Sequence, residues 1–524
     1  MKRLFISLFA LLPLWAMAQE KIMVIADPHV LAKSLIEEGK AFDSMMVKQR
    51  KMIDLSEPIW NALMDTAMKY KPELVLIPGD LTKDSEKASH AIVVNGLQRL
   101  EEAGIKTLVI PGNHDIGGNA KAYRGAVEEE TENLKNTEWE STYSWIYDHA
   151  IAKDVNSHSF ASEPLTGVTV IGIDGSDNNA GTGVLKPGTL EFVLAQADSA
   201  AAQGRTIIAM AHWQVLEHFD MQGTLESACR FKNADALRDS LMAHGVHLVL
   251  TGHFHINSIS TFRDTTGVTN DSIVEISSGS PITYPCPYRW LTLSQDKATV
   301  RVETEYLTSV DTIADLYTYS RAWMAEHTHN MVPTLALRAW GKVDEKWDSS
   351  IVPAMTAAGF NTTIINGIKS ALPQTNEDRI AITERNLGKP AVSLYLFHSD
   401  GNENENPERG RILADSVYNG MQNMVKESLG IYAIALGSIF SGMAVEVAKI
   451  PVESMIEDKT NRLSENYGDV TNDLRLSLTI NAPQFEGVEQ IEELQEPVKF
   501  IRDGQFFVRR GEKVFNANGQ EIAQ

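Results

Sequence analysis

The chain has 524 residues, a formal net charge of −22 and a hydrophobic content of 43%. This length exceeds that of one ordinary domain, so we expect about two or three domains with buried cores. The negative charge argues against a broad electrostatic grip on nucleic acid or anionic membranes, so no nucleic-acid-binding surface is expected. It does not exclude a small anionic ligand, because bound cations can invert the local field.

The first 18 residues are predicted to be a secretory signal peptide. Lys2 and Arg3 form a basic start, Leu4–Trp15 is apolar, and Ala16-Met17-Ala18 is a small-x-small cleavage signal before Gln19. The apolar part is too short to span a membrane comfortably, and no cysteine follows the cleavage site to carry a lipid. We therefore expect an exported protein (periplasmic, cell-surface or secreted) that is cleaved near Ala18-Gln19.

The next segment alternates strand and helix patterns. Apolar strands are predicted at Lys21–Ala26, Leu74–Pro78 and Thr107–Ile110, and helical patterns between them begin at Ser56 and extend over Asp84–Glu102. This order predicts parallel strands joined by crossover helices.

The same rhythm returns after residue 165. Strand patterns occupy Val168–Ile173, Thr206–Ala211 and His247–Leu250, with helical patterns between them. Short β runs within Ser258–Tyr306 then predict an antiparallel tail that closes the domain. We therefore place one α/β domain at residues 19–308.

Residues 309–524 are predicted to form a mostly helical domain of unknown role. Amphipathic patterns cover Thr312–Ala325, with a break at Pro333, and Arg411–Glu427. Ser428–Val445 is uncharged but only just reaches spanning length, so we interpret it as a buried helix and expect no membrane span. Hairpin turns at 503–504 and 518–519 (Asp-Gly and Asn-Gly) predict a small terminal β element.

Polar side chains follow the predicted strands of the α/β domain at their C-terminal ends, where open α/β sheets place their sites. Two carboxylates, an amide and five imidazoles suit two borderline ions such as Zn, Mn or Fe better than Ca or Mg. A lone histidine after a strand is more often structural, but His212 lies between other polar blocks, which favours a ligand. The set is Asp27, His29, Asp80, Asn113, His114, His212, His253 and His255.

The order of these blocks resembles the calcineurin-like metallophosphoesterases over about residues 20–308. The matching blocks are Asp27-x-His29, Gly79-Asp80, Gly112-Asn-His-Asp115, His212 and Gly252-His-x-His255. The resemblance implies a four-layer α/β/β/α core with a dinuclear site. It implies one metal held by Asp27, His29 and His255, a second held by Asn113, His212 and His253, and Asp80 as the bridge.

The resemblance also implies catalytic roles. His114 would stay off the metals and act on the leaving group or the phosphoryl oxygens, with Asp115 as an orienting partner. A water shared by two ions would be acidic enough to be hydroxide near neutral pH and could attack phosphorus. The Asp27-Pro-His29 opening and Gly79–Thr82 resemble phosphodiesterases of the cyclic-nucleotide, glycerophosphodiester or sphingomyelinase type. No tyrosine closely follows Asp80, unlike in purple acid phosphatases.

The leading hypothesis is therefore an exported dinuclear phosphoesterase that acts on a small phosphate ester. Diesters are weakly favoured because no arginine lies inside the blocks; Arg124 and Arg289 are the nearest in sequence. One alternative is a phosphomonoesterase or nucleotidase. The other is a non-catalytic binding or scaffold protein, in which the C-terminal region covers the cleft, dimerises or contacts the cell surface.

Three further features leave alternatives open. Cys229 and Cys286 could pair after export, but two partly buried thiols are an equal interpretation. The segment Tyr284–Tyr288 could shape the pocket or serve packing. His218 could line the cleft, but a surface position is the preferred prediction.

Overall fold

The structure is a computed structural model that describes residues 20–176, 181–264, 271–310, 313–401, 403–457, 467–469 and 473–480, together with four short strands between residues 498 and 522. The predicted signal peptide and the turn residues 503–504 and 518–519 lie outside the described residues.

Up to residue 308, the described chain alternates strands and helices much as the sequence pattern predicts. The strands are β1 (Lys21–Val24), β2 (Ile36–Glu37), β3 (Leu74–Ile77), β4 (Lys106–Val109), β5 (Lys121–Arg124), β6 (Val127–Glu130), β7 (Ala152–Lys153), β8 (Phe160–Leu165), β9 (Val168–Ile173), β10 (Thr206–Ala211), β11 (Leu248–Thr251), β12 (Ser258–Arg263), β13 (Ser272–Ser277), β14 (Pro287–Leu293) and β15 (Thr299–Tyr306). The helices are α1 (Lys40–Met46), α2 (Ser56–Tyr70), α3 (Lys87–Glu102), α4 (Trp139–Thr142), α5 (Ser144–Asp148), α6 (Thr189–Ala202), α7 (Gln222–Leu225) and α8 (Ala234–Ala243).

After residue 308 the described chain is mainly helical and ends in short strands. The helices are α9 (Leu316–Lys346), α10 (Val352–Ala357), α11 (Thr362–Ala371), α12 (Asn376–Thr383), α13 (Lys389–Asp400), α14 (Pro407–Ser428) and α15 (Ala433–Glu457). The strands are β16 (Tyr467–Asp469), β17 (Arg475–Thr479), β18 (Val498–Arg502), β19 (Gln505–Arg510), β20 (Lys513–Asn516) and β21 (Glu521–Ile522).

Two sheets form the centre of the molecule. The first has the order β17-β15-β14-β1-β3-β4, with β1, β3 and β4 parallel. The second has the order β16-β12-β13-β11-β10-β9-β8-β7, with β9, β10, β11 and β13 parallel. The predicted polar blocks all follow parallel strands, namely β1, β3 and β4 in the first sheet and β10 and β11 in the second.

The packing of β10 shows how the layers arise. Ile208 and Met210 enter a core shared with the first sheet, whereas Ile207, Ala209 and Ala211 enter a second core beneath α6 and α8. Because side chains alternate along a strand, a strand buried on both faces joins two cores. Helices α2 and α3 cover the first sheet in the same way. The predicted four-layer α/β/β/α architecture is confirmed.

The C-terminal region is joined to both sheets. Strand β17 extends the first sheet beside β15, and β16 extends the second beside β12. The helical character and the terminal antiparallel strands agree with the sequence analysis. The boundary at residue 308 stays a prediction.

Helix α9 differs from its predicted bounds because it continues through Pro333. A proline inside a helix removes one backbone hydrogen bond. Burial of Val332, Ala336 and Trp340 around and beyond it offsets that cost. Among the described residues, no helix has both the length and the apolar content needed to cross a membrane.

Candidate metal centre

Five of the seven predicted ligands lie in left-handed backbone, which non-glycine residues seldom adopt. The φ angles are 52° at Asp27, 41° at His29, 52° at Asp80, 62° at His253 and 61° at His255. Each such residue costs about 1–3 kcal/mol and persists only where the surroundings enforce it. The left-handed backbone conformation turns ligand side chains from both sheets toward one point.

Two glycines permit this convergence. A Cβ on Gly112 would overlap the Asp80 carboxylate, and a Cβ on Gly252 would overlap that of Asp27. The glycines of the sequence blocks are therefore needed for the close approach of backbone to ligand side chains.

The first group of ligand atoms comprises Asp27, His29, Asp80 and His255. His29 Nε2 lies 3.1 Å from His255 Nε2 and 3.5 Å from Asp80 Oδ2. His255 Nε2 lies 3.4 Å from Asp27 Oδ1. These four side chains can therefore direct their donor atoms at one ion.

The second group comprises Asp80, His212 and His253. His212 Nε2 lies 3.3 Å from Asp80 Oδ2 and 3.0 Å from His253 Nδ1. It also lies 3.2 Å from Asn113 Oδ1. The structure thus brings all seven predicted ligands together, and Asp80 belongs to both groups, as a bridging carboxylate must.

The hydrogen bonds of His212 show that the site fits cations. Its Nδ1 donates to the Pro78 carbonyl over 2.8 Å, so Nε2 of the neutral ring presents a lone pair. That lone pair faces the oxygens of Asn113 and Asp80, which are also acceptors. Acceptors converge in this way only around a cation or a proton. Burial lowers the pKa of His212, but the carboxylates of Asp80 and Asp27 raise it to about 9, so near neutral pH a proton holds the Nε2 position that a metal ion would take.

Asp80 and three of the histidines are held in deprotonated form. Burial alone would raise the pKa of Asp80, but His212, His114 and His29 hold that pKa well below its usual value. Burial lowers the pKa of His29, His253 and His255. Metal ions bind carboxylates and neutral imidazoles, so these shifts favour binding.

His114 is oriented by Asp84 and not by Asp115, which corrects the prediction from sequence. His114 Nδ1 lies 2.8 Å from Asp84 Oδ1. The buried Asp115 carboxylate instead accepts from the backbone N–H groups of Gly112 (2.8 Å) and Thr82 (2.9 Å). Burial, with Asp80 nearby, raises its pKa to about 6. Asp115 therefore holds two loops together through its hydrogen bonds. The sequence signal that could have identified Asp84 was a second carboxylate four residues after Asp80.

A cavity of about 290 Å³ opens over the ligands. His29, Asp80, His114, His253 and His255 contribute to its lining. Side chains that sequence reasoning missed also line it, from a basic segment after α1 and from α9 and α13: Lys48, Arg50, Lys51, Met324, Met331 and Tyr395.

The arginines singled out in the sequence lie elsewhere. Arg124 donates to the Ser34 carbonyl over 3.1 Å, and Arg289 is fully buried and donates to the Ser277 carbonyl over 3.0 Å. A buried arginine needs oxygen acceptors around it, and these hold Arg289 away from the cavity.

The structure also shows the state of two cysteines and one histidine that the sequence analysis discussed. Cys229 and Cys286 are free thiols. His218 is buried beside Ser258 (2.8 Å) and Glu275 (3.2 Å), so its predicted surface position is wrong. The hydrogen bond of Nδ1 with the Ser258 hydroxyl and the nearby Glu275 carboxylate offset part of the cost of burying the imidazole.

The strand ends of two sheets contribute carboxylate and imidazole groups to two sets of ligand atoms that share Asp80. This arrangement is that of a dinuclear metallohydrolase. The calcineurin-like phosphoesterase family model matches residues 20–257. This domain belongs to that family, and the chain is a metal-dependent phosphoric ester hydrolase. The metal identity and the individual ligand roles stay predictions.

The comparison with solved structures gives matches of low sequence identity and low TM-score. A dimetal phosphatase from Danio rerio is 12% identical, with a TM-score of 0.38, covering 54% of this chain and 95% of the phosphatase. A purple acid phosphatase from yellow lupin (Lupinus luteus) seeds is 10% identical, with a TM-score of 0.35, covering 57% and 53%. A phosphopantetheinyl hydrolase from Mycobacterium tuberculosis is 12% identical, with a TM-score of 0.25, covering 50% and 91%. No curated protein matches the chain.

Proposed function

We propose that this chain is an exported enzyme that hydrolyses small phosphate esters at a dinuclear metal site. The observation that carries the proposal is the position of Asp80, whose Oδ2 lies 3.5 Å from His29 Nε2 and 3.3 Å from His212 Nε2. One carboxylate placed between two sets of ligands is the arrangement that a pair of ions requires. The export part rests on the leader pattern in the first 18 residues.

The site residues would have separate roles in metal binding and in proton transfer. Asp27, His29 and His255 would hold one ion, Asn113, His212 and His253 the other, and Asp80 both. When bound, two Zn, Mn or Fe ions supply an activated water and withdraw charge from the phosphoryl oxygens. His114 lines the cavity with Nδ1 fixed by Asp84, so its other nitrogen is placed to give a proton to the leaving oxygen.

Two substrate classes remain candidates. The absence of arginine from the sequence blocks favours diesters, and a resemblance to phosphodiesterase branches points the same way. The basic side chains of Lys48, Arg50 and Lys51 in the cavity favour monoesters, whose phosphoryl group carries an additional charge. This second observation comes from the site itself.

Hydrolysis by the mature chain tests the function. p-Nitrophenyl phosphate and bis-p-nitrophenyl phosphate are supplied to metal-loaded and to chelated protein. We expect release of p-nitrophenol that chelation abolishes and added metal restores. No hydrolysis of either ester by protein that binds metal would favour the scaffold alternative. The N-terminus of the exported protein, read by mass spectrometry, is expected to be Gln19.

A further inference from the structure

The basic segment that follows α1 faces the metal ligands. Lys48, Arg50 and Lys51 all line the cavity. Lys51 Nζ lies 3.5 Å from His29 Nε2, and the Arg50 guanidinium lies 4.8 Å from the centre of the Tyr395 ring. Within the part of the chain that the structure describes, none of the three makes an ion pair with a carboxylate. The carboxylate of Glu226 also lines the cavity, so three basic groups stand beside one acidic group outside the metal ligands, which favours an anionic ligand.

Apolar side chains also line the cavity, and most of them belong to the C-terminal region. Met324 and Met331 come from α9 and Tyr395 from α13, and Phe254 lies between two of the predicted ligands. Methionine and aromatic side chains suit flat apolar groups because the thioether is polarisable and adaptable.

This apolar side is anchored to the catalytic domain. Met324 packs in one buried cluster with Tyr284, Val392 and Leu396. The Tyr284 hydroxyl donates to the Asp400 carboxylate and can accept from the Tyr317 hydroxyl, which lies 2.8 Å away. The helices are therefore held against the site by buried contacts, so they can act as a fixed wall of the cavity.

We propose that the basic segment 48–51 and helices α9 and α13 complete a substrate pocket for a phosphate monoester dianion with an aromatic or other apolar leaving group. The inference rests on the proposed function. A doubly charged phosphoryl group gains more from three cations than the singly charged group of a diester does. A cavity of about 290 Å³ has room for a small ester.

The test measures binding, separately from turnover. Calorimetry on metal-loaded protein compares phenylphosphonate, a non-hydrolysable aromatic dianion, with inorganic phosphate. Lys51→Met is expected to weaken both by roughly 10-fold or more, the usual loss for a charge-assisted hydrogen bond. Met331→Ala is expected to weaken phenylphosphonate by roughly 5-fold, through lost apolar burial, and to leave phosphate unchanged.

The matched controls are Lys40→Met, an exposed lysine of α1, and Leu335→Ala, an exposed side chain of α9. Neither residue lines the cavity, so both controls should bind the two probes like the wild type. Metal content and melting temperature are measured for every variant. Lys51→Met or Met331→Ala behaving like its control would overturn the inference, even in an active enzyme. The predicted binding pattern in a protein that hydrolyses no ester would uphold the pocket and refute the proposed function.

Discussion

The geometry of the metal ligands also depends on residues that do not themselves bind metal, and Gly112 is an example. Its backbone passes so close to Asp80 that any side chain would displace the bridging carboxylate. We expect Gly112→Ala to weaken metal binding by about 10-fold to 100-fold, the loss typical of disturbed ligand orientation. Metal titration followed by elemental analysis measures it. Gly181→Ala is the control, since no atom of the described residues outside its chain neighbours lies within 4 Å of its Cβ position. Equal affinities in the two variants would contradict the packing argument.

Asp84 controls the orientation of His114 through the 2.8 Å contact with Nδ1. Asp84→Asn should lower kcat by roughly 10-fold to 100-fold, because the ring loses the carboxylate that fixes its proton and its direction. Metal content should stay unchanged, since Asp84 contacts no predicted ligand. Asp43→Asn, an exposed carboxylate of α1, serves as the control. A wild-type kcat in Asp84→Asn would remove Asp84 from the mechanism.

At this scale the sequence indicates which side chains converge but not which of them touch. The strand-end rule predicts that all seven ligands lie close together, and the structure places six of them in two groups of ligand atoms, with Asn113 Oδ1 3.2 Å from His212 Nε2. The partner of His114 was assigned wrongly because Asp115 is its neighbour in the chain. In a tight turn adjacent side chains point apart, so the contact falls to Asp84, 30 positions away.

Among the elements, the strands of the catalytic domain were the most predictable. Their apolar runs end where the polar blocks begin, and burial on both faces gives the uninterrupted apolar pattern of β10. Helix α9 was predicted less well, because a local rule for Pro333 takes no account of the apolar neighbours that bury the helix beyond it.

Helix α3 carries a buried histidine that makes stability depend on pH. His90 Nδ1 accepts from the Tyr143 hydroxyl (2.7 Å) and Nε2 donates to the Asp115 carbonyl (2.9 Å). Burial lowers the pKa of His90 from 6.5 to about 4. Between about pH 6.5 and pH 4 the unfolded chain therefore binds more protons than the folded chain. The stability that the neutral, buried His90 contributes is lost as the pH falls through this range.

We expect His90→Gln, which can keep both hydrogen bonds, to remove this dependence. Between pH 7 and pH 5 the wild type should lose about 2 kcal/mol more unfolding free energy than the variant. Urea unfolding of the metal-free proteins at both pH values measures the difference. His149→Gln, at an exposed position, is the control. A gap between wild type and His90→Gln that is constant with pH would show that His90 does not titrate as described.

The whole molecule is more interlocked than its sequence pattern suggests. Strand β17 comes about 170 residues after β15 and pairs with it, and Leu478 and Ile480 enter the core of the catalytic domain. Such pairing is invisible to local patterns, since nothing near residue 475 specifies a partner near residue 302. For the same reason the helical wall of the cavity could not be predicted from the sequence.

Leu478→Ala tests this docking. Deleting a buried leucine side chain costs about 2–5 kcal/mol, so the unfolding free energy should fall by that amount. The loss should appear in the single transition of the catalytic domain, followed by denaturant unfolding. Leu335→Ala, at a largely exposed site, should cost below about 1 kcal/mol. A transition of the catalytic domain that Leu478→Ala leaves unshifted would contradict the shared core.

The central claim is that Asp80 binds both metal ions, whereas His114 binds neither and donates a proton in the reaction. Metal stoichiometry measured together with turnover, in wild type, Asp80→Asn and His114→Ala, tests it most directly. Asp80→Asn should lose bound metal and activity together, whereas His114→Ala should keep both ions and lose roughly 100-fold or more in kcat. Two ions and full activity in Asp80→Asn, or loss of metal in His114→Ala, would contradict the account.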